Sequence, residues 1–166
     1  RTVMLYDDLA RRLIASLKYA DRTDLIPWIS KWMAVAGKEL IEDADVIIPV
    51  PLHKSRLHSR RFNQACEFSR LIAKDSDKDF KPEYLIRKRA TKQQVGLTES
   101  QRKRNVSGAF SVPQEMKPNL KSKRVLLIDD VYTTGATVKA ATKALKRAGA
   151  DQVYVLVFAK VETHLT

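Results

Sequence analysis

Cysteine occurs once in these 166 residues, at Cys66, which excludes an internal disulfide and any zinc site built on cysteines within the chain. A lone thiol suits a reducing compartment, so the cytoplasm is the expected location. No run approaches the roughly 20 apolar residues of a membrane-spanning helix, and no membrane span is expected. No secretory signal pattern is visible, although a chain starting at Arg1 rather than Met leaves room for a preceding segment. Glycine is scarce, five in all, and nowhere forms the Gly-x-Gly-x-x-Gly of a dinucleotide turn or the Gly-x-x-x-x-Gly-Lys of a P-loop. Kinase-like and NTPase readings fall away with them. The last deficit is in acids: 19 Asp and Glu against 31 Lys and Arg give a net charge of +12, so partners should be anionic, whether phosphates, nucleic acid or an acidic membrane.

What is present is 44% hydrophobic, enough for one sizeable core, and its most informative stretch is 125–137. Val125, Leu126, Leu127 and Ile128 read as a strand buried on both faces, and the run ends in two carboxylates, Asp129 and Asp130. Val131 and Tyr132 lead into Thr133, Thr134, Gly135, Ala136 and Thr137, small and hydroxyl residues that open a helix over 138–146. A helix N-terminus with hydroxyls around it is a phosphate cradle. Two acids beside such a cradle suit a ligand with vicinal hydroxyls and a phosphate, a phosphorylated sugar.

The remaining elements alternate. Residues 7–19 form an amphipathic helix capped by Asp7, and a second helix begins near Pro27 with Leu25, Ile29, Trp32, Met33, Ala36 and Leu40 as its stripe. Trp28 and Trp32 are expected in the core. Val46 to Leu52 is a buried strand running into a basic loop, with Lys54, Arg56, Arg60 and Arg61, and no acid between Val46 and Ala65. Its position after a core strand suits phosphate or pyrophosphate, whereas His53 and His58 lack the partners of a metal site. A helix over 62–73 turns Ala65, Phe68, Ser69 and Ile72 inward and keeps Cys66 as an inert buried thiol; 75–82 is an exposed connection, and 84–87 a strand that resumes the sheet. From Lys88 to Asn105 apolar periodicity vanishes and six cations, Lys88, Arg89, Lys92, Arg102, Lys103 and Arg104, face only Glu99. That is the expected profile of a flexible binding loop, centred on Gln94 and Gly96. Strands over 106–112 and 153–158 complete an α/β pattern, which implies a twisted, mainly parallel sheet flanked by helices.

The run of aliphatics, Asp129-Asp130, then Thr133-Thr134-Gly135-Ala136-Thr137 resembles the signature of type I phosphoribosyltransferases, which bind phosphoribosyl pyrophosphate (PRPP). With Pro49-Val50-Pro51-Leu52, Arg60 to Ala65, and Gln94, Gly96-Leu97, Arg102 and Asn105 to Phe110, nearly the whole chain is similar to the ComF family of competence-associated, phosphoribosyltransferase-like proteins. The resemblance implies a type I phosphoribosyltransferase-like α/β core over 44–166, with a flexible loop at 88–105 and a helical hood over 1–43. In that family a four-cysteine segment commonly precedes this domain. The resemblance further implies that Asp129 and Asp130 meet the ribose hydroxyls, that residues 131–137 hold the 5-phosphate, and that His53, Lys54 and Ser55 form the pyrophosphate loop. Mg²⁺ would come with PRPP rather than in a protein cage. Lys88, Arg89, Gln94 and Arg102 would belong to the closing loop, and Arg56, Arg60, Arg61, Lys103 and Arg104 would contact nucleic acid. The implied role is the handling of incoming single-stranded DNA in natural transformation, together with DNA-uptake or recombination proteins. The alternative is an active phosphoribosyltransferase, in which Asp129 and Asp130 are catalytic and an unidentified nucleophile displaces pyrophosphate. A PRPP-responsive regulator would need a DNA-reading helix-turn-helix, and none is seen.

Overall fold

A strand of four uninterrupted aliphatics can be buried on both faces only at the centre of a covered sheet. Val125 to Ile128 are each 0% exposed in the strand Arg124–Tyr132. The computed structural model describes residues 1–19, 22–55, 57, 62–91 and 98–162. Its main sheet has five parallel strands, here numbered by sequence: β1 (Thr2–Leu5), β2 (Val46–Pro49), β3 (Asp79–Phe80), β6 (Arg124–Tyr132) and β7 (Gln152–Lys160). Their spatial order is β1-β7-β6-β2-β3. Parallel neighbours need crossover connections, which the helices supply.

Alternation along β6 divides the core in two. Leu126 and Ile128 face α1 (Asp8–Tyr19), α2 (Ile26–Ala36) and α4 (Gln64–Asp75), packing with Ile14, Leu17, Ile29, Met33, Phe68 and Ile72. Val125 and Leu127 face α7 (Ala136–Arg147), with Val138, Ala141 and Leu145. Asp7 caps α1 as expected, its carboxylate accepting from the Ala10 amide at 2.8 Å. The short α3 (Lys38–Asp43) and α6 (Lys117–Leu120) complete the helices used below. At the amino end of β6, Arg124 is clamped by Asp43 at 2.5 Å and Asp45 at 2.8 Å.

Several expectations are corrected. Trp28 and Trp32 are 60% and 47% exposed, not in the core. The buried stripe of α2 is Ile26, Ile29, Ser30 and Met33; both tryptophans fall on the adjacent face, where Lys31 lies 5.5 Å from the Trp28 ring centre. The helix also breaks at Gly37, whose φ −103° and ψ 10° leave helical geometry, so Leu40 falls in the next short helix, Lys38–Asp43. Residues 84–87 do not resume the main sheet. Asp79–Phe80 takes the edge beside β2, Pro82 starts a 3-10 turn, and β4 (Ile86–Arg87) pairs antiparallel with β5 (Phe110–Ser111) in a separate ribbon. Val106 closes a helix, so the strand expected over 106–112 shrinks to those two residues of β5. Within 88–105, residues 99–105 are helical, as part of α5 (Glu99–Val106). A capping box starts it: the Thr98 hydroxyl accepts from the Gln101 amide at 3.3 Å and the Gln101 side chain accepts from the Thr98 amide at 2.8 Å.

Candidate functional site

β6 does not end where its aliphatic run ends. Its ladder with β7 continues to Tyr132 opposite Lys160, carrying Asp129 and Asp130 to the carboxyl end of a central strand. Ligands of open parallel sheets gather there. β2 stops earlier, with Pro49 opposite Ile128 and the Val50 amide donating to the Ile128 carbonyl at 2.8 Å. Asn63 holds the returning chain by donating to the Val50 carbonyl at 3.0 Å, and its own oxygen caps α4. A cleft of about 430 Å³ opens between these ends and α1.

The two acids differ. Asp130 is paired with Lys18 at 2.5 Å, both side chains 17% exposed. Asp129 accepts the Asp130 amide at 2.9 Å, yet its carboxyl is pushed up to about 7 by desolvation first and the Asp130 charge second. Lys18 and Arg87 oppose that shift. A carboxyl desolvated beside a second acid in a cleft is a candidate functional group.

The turn after β6 is set by Gly135, at φ 75°, ψ 2°. Glycine is required twice over: an L side chain is strained in this left-handed region, and a Cβ would stand 2.5 Å from Tyr132 Cζ. As N-cap of α7 it provides no side-chain cap, leaving the amide-rich helix start to an external acceptor. Asp129 to Thr133 and Gly135 to Thr137 all line the cleft. Thr134 does not; it borders a different groove, and its Oγ1 is buried with no partner among the described residues.

Other sequence candidates divide. Arg102 lines the cleft from α5. His53, Lys54 and Ser55 lie just beyond Leu52, outside the cleft lining, with the Ser55 amide donating to His53 Nδ1 at 3.3 Å. Lys88 faces the other groove, and Arg89 donates to the carbonyls of Asn105 and Ser107, tying β4 to the end of α5. Lys103 and Arg104 are exposed on α5, away from the cleft. Gln94, Arg56, Arg60 and Arg61, with His58 and Lys92, lie outside the described residues. Cys66 is half-buried, and burial pushes its thiol up, away from a reactive thiolate.

Sequence reasoning missed Tyr6, Arg11, Lys18 and Arg87, all of which line the cleft. Arg11 and Lys18 had a legible signal, seven residues apart on the face of α1 that carries Ile14 and Ala15. Arg87 had none, because its place depends on the β4–β5 ribbon, where its guanidinium lies 5.2 Å from the Phe110 ring centre. Among the described residues no group of three or more His, Cys, Asp or Glu could hold a metal ion. With one carboxylate engaged by Lys18 and the other resisting ionisation, a hard cation would need oxygens from a ligand.

The model of the phosphoribosyl transferase domain family matches residues 84–164. Competence protein F of Haemophilus influenzae is 34% identical over 137 residues, covering 77% of this chain and 59% of that protein. DNA utilization protein YhgH of Escherichia coli K12 is 30% identical over 162 residues, covering 93% of this chain and 68% of that protein. Thus the chain spans 59% to 68% of the length of these relatives. Among solved structures, purine phosphoribosyltransferase from Pyrococcus horikoshii Ot3 superposes with a TM-score of 0.48 at 24% identity, over 80% of this chain and 74% of that one.

Proposed function

This chain belongs to the ComF family of phosphoribosyltransferase-like proteins, and from that premise we propose that it is a PRPP-binding competence protein that handles incoming single-stranded DNA in the cytoplasm. The observation that carries the PRPP reading is the meeting, at the end of one central strand, of adjacent carboxylates with a helix start opened by left-handed Gly135. Asp129 and Asp130 take the vicinal hydroxyls of the ribose, and the turn from Val131 to Thr137 takes the 5-phosphate. Lys18, Arg87 and Arg102 give the same cleft cations for the pyrophosphate, and His53, Lys54 and Ser55, on the loop after β2 outside the cleft lining, form the rest of the pyrophosphate loop. The helical part of residues 1–43 acts as a hood, α1 contributing Arg11 and Lys18. The competence role rests on the relatives, which are known as competence protein F and DNA utilization protein YhgH.

Mg²⁺ carried on the ligand's own oxygens would supply charge neutralisation at the pyrophosphate. The protein's share is positioning and charge. Binding of the ligand's hydroxyls gives Asp129 hydrogen-bond partners in exchange for the water it has lost, and the sugar is fixed between the carboxylates and the helix start.

A second reading, turnover, is favoured by the opposed charges of the cleft. Cations on the pyrophosphate side stabilise a leaving group that departs with the C–O electron pair, while carboxylates by the ribose tolerate positive charge at the ring. A nucleophile would then bond to the anomeric carbon and lose its proton.

Two measurements test these readings. PRPP with Mg²⁺ should raise the melting temperature, at a hundredfold excess over Kd by the equivalent of about 2.7 kcal/mol, and the Asp129→Asn/Asp130→Asn protein should not respond. A wild type without a shift contradicts the PRPP reading. Pyrophosphate release over a panel of bases, amines and nucleic acids then distinguishes binder from enzyme.

A further inference from the structure

On the far side of α5 from the PRPP cleft lies a second, larger concavity of about 950 Å³, walled by α7 and by α5 with the start of β5. Three of its cations come from α7: Lys139, Lys143 and Arg147. They are spaced four residues apart, so they form one exposed rail with about 6 Å of rise between charges. Lys103 and Arg104 face them from α5, and Lys88 and Lys117 also line the groove. None of the described lining residues is acidic, and none of these seven cations makes an ion pair with a described residue.

Several cations elsewhere do have a counter-charge: Arg1 pairs with Glu39, Arg22 with Asp24, Arg70 with Glu67, and Arg124 with Asp43 and Asp45. Seven like charges gathered without a counter-charge repel one another unless an anion joins them. An anion that satisfies all of them must carry several charges along a line.

The floor has a shape to match. Ala136, Ala140, Ala144 and Ala148 follow the same four-residue spacing along the groove, so the helix surface beside the cationic rail is smooth and shallow. Bordering it, Ser111 Oγ and Thr134 Oγ1 are buried without a partner among the described residues. Phe110 also borders the groove, but Arg87 lies over its ring. The aromatic is therefore a poor base-stacking platform, and recognition would run through the backbone.

We propose that the groove between α5 and α7 is the track on which this protein holds the phosphate backbone of single-stranded nucleic acid, separate from the PRPP cleft. The choice of nucleic acid rests on the DNA-handling reading above; the charge and shape stand without it. A concave channel walled on two sides admits one chain, whereas a duplex would rest on its rims. The two anion sites lie back to back. Arg87 and Arg102 line the cleft while their neighbours Lys88, Lys103 and Arg104 line the groove, and Ala136 lines both. Either ligand can therefore bind without displacing the other.

The test is fluorescence anisotropy with a labelled oligothymidylate strand at low and physiological salt. Lys139→Ala/Lys143→Ala/Arg147→Ala should keep the fold, since all three are exposed helix positions, and should weaken binding about tenfold. Its log–log salt slope should flatten by about 2, three cations at roughly 0.7 each. The control Lys31→Ala/Lys38→Ala/Lys74→Ala removes the same charge elsewhere and should lose much less. Wild-type strength in the α7 variant, or an equal loss in both, overturns the groove while leaving DNA binding in place. Equal affinity for duplex overturns the single-strand assignment. A wild type that binds no strand at either salt overturns the DNA-handling reading and the groove together.

Discussion

Asp129, which lines the cleft, opposes the stability of the fold that holds it there. Its carboxyl is raised in the folded protein above its unfolded value, to about 7, because it is desolvated beside Asp130. For a raised carboxyl, stability is intact below the unfolded value near 4, falls as the pH climbs towards 7, and stays reduced above it. Asp129→Asn should therefore raise the melting temperature of the ligand-free protein at pH 8, with the gain shrinking towards pH 4. A variant that melts lower than wild type at pH 8 would contradict this. Gly135→Ala should act oppositely, losing about 2 kcal/mol or more because positive φ and the contact with Tyr132 both penalise a Cβ. Adding Tyr132→Ala should recover the steric share alone, as read by denaturant titration. Asp129, Asp130 and Gly135 were legible in the sequence because polar residues and a lone glycine interrupt an otherwise aliphatic run. Lys18 was legible only in part: its spacing from Arg11 puts both on one face of α1, but nothing local says that the end of α1 meets the end of β6.

At the scale of elements, legibility followed period and length. The helices over 64–75 and 136–147 and the strand β6 were readable because their apolar positions repeat over long spans. β1, β3 and β4 are two to four residues long and depend on partners far away in sequence. α5 has almost no apolar stripe, and its readable feature was the Thr98-x-x-Gln101 box. Thr98→Ala should thus cost α5 about 1 kcal/mol, seen as faster amide exchange across 99–106 with the main sheet unchanged. At the opposite end of the sheet from the cleft, Asp45 is held down to about 2 by the hydrogen bonds from Arg124. A depressed carboxyl stabilises above its unfolded value and loses that contribution as the pH falls towards 2. Asp45→Asn should melt a few degrees lower at pH 7, and the gap should close as the pH falls from 4 to 2.

For the whole molecule, the sequence disclosed how much charge there is but not where it sits. A net +12 predicts anionic partners of any kind. Folding sorts that excess: cations in the cleft face two carboxylates, whereas those along α7 and α5 face none. α7 links the two regions, its start lining the cleft and its flank the groove. The central claim is that the end of β6 and the start of α7 make a PRPP site. Isothermal titration of PRPP and Mg²⁺ into the wild type and into Asp129→Asn/Asp130→Asn tests it most directly. The account predicts saturable one-to-one binding to the wild type and none to the variant; equal heats and affinities for both proteins would contradict it.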